Sequence, residues 1–158
     1  MPADRTVEPL TPESYAAMRH WLPRLETRAM GRQIVRPSDP ARPGVVFIPM
    51  LEQSPDVQAF TQVLYELGWV VSFNWPAWQG TPRAKQLFDE PGTIESASAL
   101  ELRLMITAVV RAERFCEGAV HGSIDSGLIG RIARRAAELS SGPNPPDPGL
   151  PPPNFEFA

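Results

Sequence analysis

The chain is short of the residues that most often carry chemistry. It has one cysteine, Cys116, and two histidines, His20 and His121, in 158 residues. A lone cysteine cannot close an internal disulfide, which fits a reducing compartment. Zinc centres usually draw three or four ligands from Cys, His and carboxylates, so no metal site and no cofactor are expected. Long apolar runs are missing too. The longest, Val45 to Leu51, is far short of the roughly 20 residues that span a bilayer. The first ten residues hold no apolar core of the signal-peptide kind, so a cytoplasmic protein is expected, with no membrane partner. Lysine is nearly absent: 14 of the 15 basic residues are arginine, and the net charge is −3. A negative chain has no global field to draw in nucleic acid, which makes that partner less expected than a protein.

What is present is globular in kind, 42% hydrophobic and 21% charged, and enough for one core. Residues 1–10 read as a flexible lead, 11–140 as a single helical domain, and 141–158 as a disordered proline-rich tail. Seven prolines in those last 18 residues favour extended, unpacked backbone. Thr11-Pro12-Glu13 and Ser54-Pro55 each combine a capping hydroxyl with a proline that has no amide to leave unpaired. Apolar positions at spacings of three and four follow both starts. Pro23 is expected to kink or end the first helix near Trp21. The longest helix is expected from Ser98 to Gly118, apolar around most of its girth and therefore central, and a last one from about Gly127 to Leu139. Short β-type stretches, "RQIV" (32–35), "VVFIPM" (45–50) and "WVVSF" (69–73), suggest a β-hairpin or three-stranded sheet in the N-terminal half. The fold class is thus mainly α, about five helices with that small sheet.

Four constellations compete for function. In "FNWPAW" (73–78), Asn74 caps a helix, Phe73 and Trp78 have the spacing of a hydrophobic staple, and Trp75 and Trp78 form either a ligand wall or part of the core. "RFCEGAVHGS" (114–123) gathers Cys116, Glu117 and His121. If the helix ran on, Glu113, Glu117 and His121 would align at spacings of four as a metal or acid–base row. Against a nucleophile, Cys116 falls at the C-terminal end of its helix, where the dipole opposes a thiolate. Arg103, Thr107, Arg111 and Arg114 form one stripe along the central helix, able to grip carboxylates or phosphates in bidentate fashion or simply to face water. Arg131, Arg134 and Arg135 sit near the end of the last helix, where cations complement the dipole.

"SPDVQAFTQVLYELGWVVSFNWPAWQ" and "LMITAVVRAERFCEGAVHGSIDSGLIGRI" resemble the bacterial and phage family called domain of unknown function 6508, over roughly residues 10 to 139. The R-F-C-E-G block carries most of the likeness. Arg111, Glu113, Arg114, Phe115, Cys116, Glu117 and Gly118 match it, as do Trp75, Pro76, Trp78, Ser126 and Gly127. Asn74 stands where that family has an acid, and Gly122 and Gly130 stand where helix formers are usual. His121 matches no motif of the family. The resemblance implies a fold and no reaction, and it draws attention to Arg111, Arg114 and Glu117.

The functional expectation is a binding or regulatory module that engages an acidic protein partner through Arg103, Arg111 and Arg114, with Trp75 and Trp78 beside them. The alternatives are an enzyme with a pocket near Cys116, Glu117 and His121, and a nucleic-acid-binding protein using the same arginines.

Overall fold

Helix starts set the architecture. Thr11, Ser54, Asn74, Thr81 and Ser98 each accept a hydrogen bond from a first-turn amide of the helix that follows, and four of those five helices carry proline at the first or second position. The computed structural model describes residues 7–31, 34–35 and 51–147. Among them are α1 (Pro12–Glu26), α2 (Pro55–Glu66), α3 (Trp75–Gln79), α4 (Pro82–Asp89), a 3₁₀ segment (Pro91–Ser96), α5 (Ala99–Ala112), α6 (Ala119–Asp125) and α7 (Leu128–Leu139).

This corrects the expected five helices with a sheet. There are eight helical segments among the described residues, and no sheet layer. Residues 69–73, expected as a strand, are irregular, because Trp69 and Val71 bury themselves singly against the helices instead of pairing in a ladder. Among the described residues, strand pairing is limited to a two-residue antiparallel match of Ile34–Val35 with Leu51–Glu52. The expected strand at 45–50 lies outside the described residues. Nor does Pro23 end α1, which continues to Glu26. The turn after it is closed by the Thr27 hydroxyl, which donates to the Pro23 carbonyl at 2.8 Å.

α5 is the axis. Every residue from Ala99 to Val110 is buried, as its nearly continuous apolar surface requires. Its three buried polar side chains are all employed. Glu101 accepts both Nε (2.6 Å) and Nη2 (3.0 Å) of Arg83. Arg103 donates to the carbonyls of Gly68 and Glu8, both at 2.9 Å. The Thr107 hydroxyl donates to the Arg103 carbonyl (2.7 Å) and accepts the Val71 amide (2.9 Å). Arg103 and Thr107 therefore hold the irregular 67–73 segment, whose backbone groups have no ladder to satisfy them. Trp69, fully buried, ties the same segment to α1 by donating from Nε1 to the Ser14 carbonyl.

α7 packs most extensively against α1. Gly130 lies against the end of α1, where a Cβ would stand in ordinary contact, 3.5 Å from the Leu25 carbonyl oxygen. Residues 141–147, the described part of the stretch expected as a disordered tail, lie near the start of α5. Asn144 and Asp147 accept hydrogen bonds from the amides of Ala99 and Leu100 at the start of α5. The rest of the tail lies outside the described residues.

Candidate binding site

The helix expected to run to Gly118 stops at Ala112, and the local cause is Glu113. Its two carboxylate oxygens accept the amides of Gly118 (2.9 Å) and Val120 (2.8 Å), folding the chain back into α6. Gly118 turns the corner with φ of +86°, a conformation that costs an L-residue with a side chain. Within the R-F-C-E-G block, Glu113 and Gly118 thus build a corner. Arg114, Phe115, Cys116 and Glu117 stand exposed on it.

The expected row of Glu113, Glu117 and His121 does not form, because the helix that would align it is broken. Glu113 is occupied as a cap. His121 is buried on α6, its Nε2 without a hydrogen-bond partner, whereas Cys116 and Glu117 face solvent. Among the described residues no three His, Cys, Asp or Glu side chains are grouped to hold a metal ion.

A different grouping does form at the C-terminal end of α5. A cavity of about 270 Å³ is lined by Val71, Ser72, Phe73, Trp75, Thr107, Arg111, Arg114 and Phe115. Asn74, capping α3 through the Ala77 amide, sets Trp75 on one wall. Phe115 leans over from the corner with its ring centroid 6.3 Å from that of Trp75 and the rings tilted by 39°. Arg111 lies over the ring of Tyr65 on α2, 5.8 Å from its centroid. Tyr65 (47% exposed) and Phe115 (82%) are the exposed large hydrophobic residues of the described chain. Neither Arg111 nor Arg114 forms an ion pair with a described carboxylate. The cavity therefore offers two forked cations between aromatic faces, suited to an anionic group on a flat or apolar body.

Of the five residues singled out for binding, the structure brings Arg111, Arg114 and Trp75 together. Trp78 turns inward and packs edge-on against Phe73 and Phe88, the core alternative for that tryptophan. Arg103, 6% exposed, is committed to backbone carbonyls, and its burial depresses its pKa, countered by Tyr15 and Asp147 nearby. The expected stripe thus divides: Arg103 and Thr107 are buried and structural, Arg111 is half-buried and Arg114 is exposed. Sequence reasoning missed Tyr65, Phe115 and Ser72. Tyr65 carried a signal, being a large aromatic off the buried Val57–Phe60–Leu64 face of its helix.

No helix of the described residues is long and apolar enough to cross a membrane. No curated protein and no solved structure matches the chain. The model of one family matches residues 10–142, taking in α1, α2 and the site with its R-F-C-E-G corner. Over that span the chain belongs to the Family of unknown function (DUF6508).

Proposed function

We propose that this protein is a small binding module, and that Arg111 and Arg114 engage carboxylates of an acidic protein partner while Trp75, Phe115 and Tyr65 supply apolar contact. The observation that carries this reading is two arginines without a described acidic partner, set in one cavity among the most exposed aromatics of the domain. Exposed aromatic and arginine side chains are the types that dominate binding energy at protein interfaces. Arginine on an aromatic face also loses little freedom on docking, because the ring already orients it. The exposed, unpaired thiol of Cys116 favours the cytoplasm as its setting.

The test is capture of partners from native lysate by the intact chain, with and without nuclease, beside a chain carrying Arg111→Ala and Arg114→Ala. A nuclease-resistant partner, acidic at its contact surface and lost from the folded double variant, is the expected result. A partner lost on nuclease treatment would replace the protein reading with nucleic-acid binding. Identical capture by both chains would remove the arginines from the function.

A further inference from the structure

A second cavity, separate from the first, lies between the end of α1, the 3₁₀ segment and the start of α7. Its volume is about 430 Å³. Three positive features converge there. The N-cap of α7 is Gly127, at φ of +86°, which has no side chain to accept from the first turn; the Leu128 amide reaches the Ser126 hydroxyl at 3.4 Å, and the amides of Ile129 and Gly130 have no side-chain acceptor. A Cβ on Gly127 would lie 3.7 Å from Nη2 of Arg28 and 3.9 Å from Nη1 of Arg131, so both guanidinium groups face the same point of backbone. Neither has an ion-pair partner among the described residues, and the Nε of Arg131 is buried with no acceptor at all.

This arrangement is unfavourable when left alone. A helix N-terminus carries roughly half a positive charge and ordinarily attracts acids; cations beside it raise the energy of the folded state. Arg28 adds to the cost, since it occupies the left-handed region at φ of 58° where glycine is usual. The carboxylates on the cavity wall do not neutralise the pair. Glu26 is engaged by Arg134 and Glu138 by Arg135, leaving Glu95 exposed on the 3₁₀ segment. Converging guanidinium forks and open helix amides are, however, the donor set that binds a tetrahedral oxyanion.

We infer that Arg28, Arg131 and the N-terminus of α7 form a binding site for a phosphate group, either free phosphate or the phosphate monoester of a small molecule. The Ser126 hydroxyl at the cavity edge donates to the Ser123 carbonyl, so the donors left for a ligand are the two arginines and the helix amides. This site shares no residue with the cavity at Arg111 and Arg114, and it stands whether or not that cavity docks a partner.

The test is titration of the ¹⁵N-labelled full chain with inorganic phosphate at constant ionic strength, following the amides of Gly127 to Arg131, and separately with glycerol phosphate. Saturable shifts confined to that turn are expected, weakened by about tenfold or more in Arg28→Gln and in Arg131→Gln, and unchanged in the Arg111→Ala, Arg114→Ala chain. Arg28 is exposed, so its variant keeps the test interpretable if the Arg131 change disturbs folding. Tighter binding of glycerol phosphate would identify an ester as the ligand, and equal binding the free oxyanion. Shifts that grow linearly with neither anion saturating, or that persist in Arg28→Gln, would overturn the site.

Discussion

Glu113 receives the Gly118 amide at 2.9 Å, and this bond across five residues turns the central helix into a corner. The same carboxylate takes the Val120 amide, so one side chain satisfies two donors that α6, capped by a glycine, would otherwise leave open. Glu113→Gln keeps an acceptor but loses the second oxygen and the charge at a helix N-terminus. It is expected to lower stability by about 1–2 kcal/mol, measured by urea denaturation. A change below a few tenths would mean that the corner is held by something else.

Arg103 and Arg111 share a helix and differ in what they do, so they should separate experimentally. Arg103→Met leaves the carbonyls of Gly68 and Glu8 without their donor and should cost about 2–4 kcal/mol. Arg111→Ala, at a half-buried site with no ion pair among the described residues, should cost under about 1 kcal/mol. Chemical denaturation of the two variants reads the difference directly, and comparable losses would contradict the division of the stripe.

Two glycines of α6 should respond in opposite directions. Gly122 lies inside the helix with nothing within 4 Å of an added Cβ, so Gly122→Ala should raise stability by about 0.5–1 kcal/mol. Gly118 holds a positive φ, so Gly118→Ala should lower it by about 1 kcal/mol or more. Thermal melts of both variants suffice, and a stabilising Gly118→Ala would show that the corner can relax.

Tyr15 gives the fold an alkaline limit. Burial raises its pKa above the ordinary 10.0, opposed by Arg103 and assisted by Asp147. The folded state therefore holds the phenol proton more tightly than the unfolded chain does. The resulting stability is complete below about pH 10 and is lost as pH rises through the folded value. Tyr15→Phe should flatten the fall in stability above pH 10, followed by denaturation at a series of pH values. An unchanged slope would place the alkaline sensitivity elsewhere.

Local rules carried well where a side chain acts on its own neighbourhood. The starts of α1, α2, α3 and α5 follow from a capping residue with proline or glutamate in the first turn, and the stop at Gly68 from its φ of +78°. The same rule applies to Thr81-Pro82, where α4 begins. What could not be read is what distant residues decide. "WVVSF" has the composition of a strand, yet the Val71 amide is taken by Thr107, 36 residues away. The end of α5 depends on a carboxylate reaching forward past Gly118, against a run of good helix formers. Half of the arginine stripe is buried because carbonyls from residues 8 and 68 meet Arg103, and spacing along one helix carries no trace of them. The pairing of Trp75 with Phe115, 40 positions apart, is equally a product of packing.

Asn144 and Asp147 bring this protein's last described residues back onto the first turn of its central helix. A boundary drawn from proline content, at residue 140, would cut those two acceptors away and expose the amides of Ala99 and Leu100. Shortened versions of the chain should therefore keep everything through Asp147. A fusion joined just after Leu139 would sever a seam, whereas one joined beyond Asp147 would extend an already closed loop.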